Sequence, residues 1–318
     1  MDFRTEIDPQ ELREKIKYTD KVLSLGSCFS EEIGQRLRQL YYDILVNPAG
    51  ITFNPSSIHR TLMTMYEGNS LPREALVFNG KLWCHPDFHG SFNRMDPDQV
   101  LSAANDSIEK ARNFVKHTHF VIITLGTAYV YIDRNSGNVV NNCHKIPAHN
   151  FSKRLLKQSE IVQCLDESMS ALQEMSDHEL QFILTLSPVR HIRDGLIENQ
   201  QSKSLCLLAL NETLENRRNA HYFPAYELLL DDLRDYRFYN KDMVHPSDQA
   251  VDYIFEKFES SALSPVEEEL RRKLSGINKS MNHRAIYPDS EHYQQFRKNL
   301  KQKVDKLKND FPFLEGRL

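Results

Sequence analysis

Residues 21–27, Lys21-Val22-Leu23-Ser24-Leu25-Gly26-Ser27, decide how the chain folds. A short apolar run stops at Gly26-Ser27, and Phe29, Ile33, Leu37 and Leu40 then recur at helical spacing. The run predicts a strand and the recurrence predicts a helix with one buried face. Outward from this unit the alternation repeats. Residues 42–46 predict a second strand, stopped by Asn47-Pro48, and Pro55-Ser56 open a helix to about residue 66. The near-continuous apolar runs 119–125 and 181–186 predict strands covered on both faces. Helices are expected over 101–116, 158–175, 201–218 and 247–260. Alternating strands and helices place the chain in the α/β class, as a three-layer α/β/α sandwich with a mostly parallel sheet. Two segments break the rhythm: 70–95, rich in Trp, His and Phe, and 129–150, a hairpin around Asn135-Ser136-Gly137-Asn138. Insertions of this kind often build the pocket of an α/β fold.

Composition narrows the function classes. Among the 318 residues, 40% are hydrophobic, enough for a substantial core. No stretch reaches the roughly 18 apolar residues of a bilayer span, so no membrane role is expected. The first twenty residues alternate charged with apolar side chains and lack the apolar core of a secretory signal. Five cysteines, an odd number without CxxC spacing, suggest neither a disulfide framework nor a zinc ribbon, and a cytoplasmic location is expected. The net charge of −4 gives no general drive toward nucleic acid. Residues 264–318 nevertheless hold 12 Lys and Arg against 8 Asp and Glu, a net of +4, which leaves −8 on the rest. The division expected is a body over 1–263 and a charged helical extension over 264–318. Tyr293, Phe296, Leu300, Val304 and Leu307 form one helical stripe in the extension, for docking on the body or, as the alternative, for a homodimer contact.

Several residues could carry chemistry. Ser27 stands between a strand end and a helix start, where open α/β sheets bind ligands and free helix amides can stabilise an oxyanion. A serine there also caps the helix. Cys28 is a rival nucleophile or a small buried residue. Asp242 and His245, three residues apart, can supply an orienting carboxylate and a general base from one turn. In Asn47–Pro55, Gly50 permits close approach of a backbone amide to a ligand. Cys84, His85, Asp87, His89, Cys143 and His144 are zinc-ligand types, but their spacing matches no structural zinc motif. Arg190 and His191, after a strand ending at Ser187-Pro188, could bind an anionic group.

Taken together, these blocks resemble the GSCFA family, which belongs to the SGNH/GDSL hydrolase superfamily. The name motif reads Gly26-Ser27-Cys28-Phe29-Ser30, with Ser30 in place of the final Ala. The resemblance continues through Asn47–Pro55, Trp83–His89, Leu125-Gly126-Thr127-Ala128, Asn142-Cys143-His144-Lys145, Ser187–His191, Tyr222–Glu227 and Asp235–Tyr239, to Asp242 and His245. It covers roughly residues 20–260. It implies an SGNH-hydrolase-like fold, Ser27 as nucleophile, His245 as base and Asp242 as its orienter. Gly50 matches the glycine whose amide enters the oxyanion hole beside that of Ser27. The third donor is normally an Asn side chain. The matching strand end reads Gly126-Thr127-Ala128, with no Asn, so either Thr127, Asn54, Asn142 or His144 replaces it or the third donor is missing.

The reading that follows is a serine esterase or acyltransferase working through an acyl-enzyme on Ser27, with no metal or organic cofactor. Relatives in the superfamily often act on O-acyl groups of carbohydrates, so a small-molecule or carbohydrate ester is the expected substrate. Asn54, Trp83, His85, His89, Asn142, His144, Arg190 and His191 are candidates to bind it. Two alternatives stand beside this reading: metal-assisted hydrolysis through His85, His89 and His144, and a non-catalytic glycan-binding module.

Overall fold

The computed structural model describes residues 4–283 and 286–318. Residues 1–3 of the body and 284–285 of the extension lie outside it. The strands are β1 (Lys21–Gly26), β2 (Asp43–Val46), β3 (Val77–Phe78), β4 (Trp83–Cys84), β5 (Phe120–Leu125), β6 (Tyr129–Asp133), β7 (Val139–Val140), β8 (Phe151–Leu155), β9 (Gln181–Leu186) and β10 (Ala220–Phe223). The helices are α1 (Cys28–Gln39), α2 (Pro55–Glu67), α3 (Pro97–Val115), α4 (Gln158–Met175), α5 (Leu196–Asn216), the single turn α6 (Ala225–Glu227), α7 (Asp248–Ala262), α8 (Glu268–Met281) and α9 (Glu291–Asp310).

Five strands form the central sheet in the order β10-β9-β5-β1-β2, all parallel. Every residue of β5 and β9 is buried, because helices cover both faces. One face carries α1, α7 and the C-terminal segment around Phe29, Ile33, Ile254 and Phe258. The other carries α2 to α5 around Leu62, Ile108, Leu165 and Leu210. The molecule is therefore a three-layer α/β/α sandwich. Strand order reverses between β1 and β5, since the chain steps outward from β1 to β2 and later returns to β1's other side. In open α/β sheets the crevice beyond the carboxyl ends at such a switch point is where ligands bind. Gly26 pairs with Thr124 and Thr124 with Thr185, so β1 leaves the sheet at Ser27 one residue before β5 and β9 leave it at Gly126 and Ser187 along the same edge.

The expected hairpin is β6 and β7, joined antiparallel to β8 in a small separate sheet. Several elements differ from expectation. The four-residue β10 lacks an apolar run and is stabilised by pairing with β9. Helix α3 begins four residues before 101, at Pro97 behind the Asp96 cap, and α5 begins at Leu196 rather than 201. In the extension, Leu300 and Val304 pack against, and Leu307 is buried in, a core cluster that Leu270, Leu274 and Ile277 of α8 share with residues of the body. Among the described residues, no helix is long and apolar enough to cross a membrane.

Candidate active site

Ser27 is held by the turn that ends β1. Gly26 adopts φ 131°, and a Cβ there would stand 2.1 Å from the Thr124 carbonyl oxygen, so only glycine fits. Its amide donates to Asn47 Oδ1 at 2.9 Å, and Asn47 Nδ2 donates to Glu31 Oε2 at 3.0 Å. The end of β2 thus clamps the end of β1. Ser27 caps α1, its Oγ accepting the Phe29 amide at 3.3 Å. The positive end of the α1 dipole lies at this hydroxyl. Gly126 lies against it, since a Cβ on Gly126 would be 3.4 Å from the Ser27 Cβ and 2.9 Å from Phe53 O.

Asp242 and His245 form the second element. His245 Nδ1 meets Asp242 Oδ2 at 2.8 Å, while Oδ1 accepts the amides of Val244 at 2.9 Å and His245 at 3.0 Å. These bonds, the His245 amide first, hold the Asp242 carboxyl at about 2, below the usual carboxylate range. With Nδ1 turned to the carboxylate, Nε2 is the nitrogen left to act as a base. The loop is fixed by the Asn240 amide on His245 O at 2.8 Å and by Asn240 Nδ2 on Pro246 O at 3.1 Å. The Arg190 amide donates to Val244 O at 3.2 Å, which ties this loop to the end of β9. The His191 ring then meets Phe53 edge-on at 5.7 Å, and Phe53 O accepts the amides of Gly126 and Thr127 at 2.8 and 2.9 Å. These contacts link the His245 loop to the end of β9 and, through His191 and Phe53, to Gly126, which lies against Ser27. No hydrogen bond joins Ser27 Oγ to His245.

The expected oxyanion donors require correction. The Thr127 amide is engaged by Phe53 O at 2.9 Å and its hydroxyl bonds Ser202 Oγ at 2.8 Å, so Thr127 is not a free donor. The Gly50 amide closes a turn onto Asn47 O at 2.7 Å. The Ser27 amide makes only a long 3.3 Å bond to Thr124 O. Asn54, which follows Phe53, uses Oδ1 to cap α2 through the Ser57 amide at 2.8 Å, while its Nδ2 donates to no described residue.

The His- and Cys-bearing segments have a different role. His144 Nε2 donates to His85 O at 2.9 Å and its Nδ1 faces Asn93 Nδ2 at 3.2 Å. His85 Nδ1 accepts the Asp87 amide at 3.2 Å, and His89 Nδ1 the Ser91 amide at 3.3 Å. The Asn142 amide donates to Pro86 O at 3.0 Å, and Trp83 packs on Phe78 at 5.3 Å between centroids. Burial lowers the pKa of His85 and of His144, which favours their neutral form. His89 abuts the Gly50 turn, its amide on Ala49 O at 2.9 Å. The His89 amide and Asn141 Nδ2, which donates to Ile51 O at 3.2 Å, tie these segments to the 49–51 loop, while His144 joins them to each other. Among the described residues, no three His, Cys, Asp or Glu side chains are grouped to hold a metal ion, so the alternative of a His85, His89 and His144 metal centre has no ligand set. Burial raises the Cys28 thiol, which disfavours the reactive thiolate.

Three comparisons complete the picture. The model of the GSCFA family matches residues 21–258, and that of the GSCFA domain protein, C-terminal domain, matches residues 274–317. No protein with a curated description matches. Among solved structures, a carbohydrate esterase family 3 from Talaromyces cellulolyticus aligns at 9% identity and TM-score 0.40, over 80% of this chain and 98% of that one. A Streptococcus pneumonia chain, whose description names a platelet activating factor, aligns at 10% identity and TM-score 0.38, over 76% of this chain and 83% of that one.

Proposed function

The chain belongs to the GSCFA family, and on that premise we propose that it is a serine-dependent ester hydrolase or acyltransferase of SGNH/GDSL type, acting on an O-acyl group of a carbohydrate. The observation that carries this reading is the 2.8 Å Asp242–His245 pair on the loop tied to the sheet edge where Ser27 stands. In the reaction, Ser27 Oγ leaves its bond from the Phe29 amide and attacks the ester carbonyl as its proton passes to His245 Nε2. Asp242 holds the imidazole and stabilises the imidazolium. The Ser27 amide and Asn54 Nδ2 receive the oxyanion, the first by exchanging its long bond to Thr124 and the second because it donates to no described residue. Collapse of the intermediate expels the alkoxide, which takes the proton from His245. Water or a sugar hydroxyl, deprotonated in turn by His245, then releases the acyl group and restores Ser27.

A fluorophosphonate probe with mass-spectrometric mapping tests this directly. Labelling is expected at Ser27 and lost in His245→Ala. A folded protein that takes no label at Ser27 overturns the reading. A second reading rests on the engaged amides of Gly50 and Thr127: with an incomplete oxyanion hole, the crevice would bind a glycan without turnover. Sugar binding in the absence of probe labelling would favour it.

A further inference from the structure

At the carboxyl end of β9 the chain gathers donors without acceptors. The Arg190 guanidinium makes no hydrogen bond or ion pair with any described residue, and its Nε is buried. Asn199, on the first turn of α5, is 2% exposed; its Oδ1 accepts the His191 amide at 2.8 Å, and its buried Nδ2 has no partner. One turn further, Lys203 is 1% exposed and meets a single acceptor, Ser187 O at 2.6 Å, although an ammonium carries three donors. The nearby carboxylate of Asp194 is already paired with Lys153. Buried charges are normally paired, and buried donors normally bonded. Among the described residues no carboxylate pairs with Arg190 or Lys203; the Arg190 charge acts on Lys203, as does that of Cys28, and the Arg190 amide bonds Val244 O on the loop of His245. Burial above all, with the Arg190 charge adding to it, pushes the Lys203 ammonium down to about 7. The Arg190 side of the cluster opens to solvent, since Arg190 lines a groove of about 830 Å³ with Leu155, Leu196, Ile197, Gln200 and Leu205, while Asn199 and Lys203 lie buried behind it.

We propose that Arg190, Asn199 and Lys203 form a subsite for an anionic oxygen group, a carboxylate or a phosphate, carried by the ester on which Ser27 acts. This rests on the esterase reading for its substrate, although anion binding itself does not depend on catalysis. The guanidinium offers its planar fork to two oxygens. Asn199 Nδ2 supplies a further donor, and the ammonium balances the charge from behind.

The test joins binding and turnover in the full chain. Succinate and inorganic phosphate are titrated calorimetrically into the wild type, Arg190→Gln and Asn199→Asp. The same proteins are assayed on 4-nitrophenyl hemisuccinate and 4-nitrophenyl acetate. Asn199→Asp keeps the acceptor for the His191 amide and replaces the orphan donor with a carboxylate oxygen. The wild type is expected to bind one of the two anions, which identifies the chemistry, and each substitution to weaken it at least tenfold. The ratio of kcat/KM for the anionic over the neutral ester is expected to fall at least tenfold in Arg190→Gln. A wild type that binds neither anion, or binding and ratio untouched by both substitutions, overturns the subsite while measured ester turnover leaves the esterase reading standing. Anion binding that needs Arg190, in a protein that turns over neither ester, supports the subsite and sinks the esterase reading instead.

Discussion

Gly26 and Asp242 show how single residues set the chemistry. The first must be glycine because a Cβ would meet the Thr124 backbone at 2.1 Å and because φ is 131°. Gly26→Ala is therefore expected to destabilise the fold by at least ~2 kcal/mol, read from urea denaturation. The second keeps His245 in the tautomer that presents Nε2. Asp242→Asn should leave the fold intact and lower kcat by on the order of 10³–10⁴, because the amide favours the wrong tautomer. A decrease below tenfold would remove Asp242 from the proposed triad. Both residues were legible in the sequence, one as the stop of an apolar run and the other by its spacing from His245. The engagement of the Thr127 and Gly50 amides was not. It depends on Phe53 O and Asn47 O, which pattern alone does not place.

At the scale of an element, α5 carries the least readable information. Its single buried face holds Asn199, Ser202, Lys203 and Thr213 beside Cys206, Ala209 and Leu210, while Leu196, Ile197, Leu207 and Leu208 are exposed, so its apolar residues form no stripe, and Lys203 lies inside at 1% exposure. In the folded state its pKa lies near 7, whereas the ordinary value is 10.5. Below about pH 7 both states hold the proton, and the folded state bears the full penalty of a buried ammonium. Between about 7 and 10.5 the unfolded chain binds more protons, so stability rises with pH across this window. Lys203→Met removes that dependence. From pH 7 to 10, wild-type unfolding free energy is expected to rise by on the order of 3 kcal/mol more than that of Lys203→Met. Parallel curves in denaturant melts at the two pH values would contradict it. By contrast, α2 announced itself through the Asn54 cap and Pro55 at its start, both local signals.

For the whole molecule, the C-terminal segment closes the end of the sheet opposite the site. Phe313 stacks on Tyr18 at 5.5 Å, and Tyr18 on Tyr42 at 4.2 Å. Leu314 is fully buried, and Arg317 reaches Tyr18 O at 2.8 Å and Asp43, the first residue of β2, at 3.2 Å. Leu314→Ala is expected to cost about 2–4 kcal/mol through the cavity it leaves. Its kcat/KM should stay within twofold of wild type, because the crevice lies at the carboxyl ends of the strands. A selective loss of activity without loss of stability would show that the extension acts on the site.

Short-range signals made four of the five strands of the central sheet, most helices and the α/β class legible, because period, caps and breakers act within a few residues. They also marked Ser27, Asp242, His245 and Arg190 as residues of the right type. Strand order, by contrast, arises only when crossovers bury both faces of one sheet, and that order creates the crevice. The four-residue β10 exists because β9 supplies its partner. Asn47 as clamp, Asn199 and Lys203 as unpartnered donors, and the locking role of His85 and His144 are properties of what stands beside each side chain in space. Partners such as Gly26 and Asn47, Lys203 and Ser187, or His144 and His85 stand 21, 16 and 59 residues apart and meet only by packing, and no local pattern encodes them.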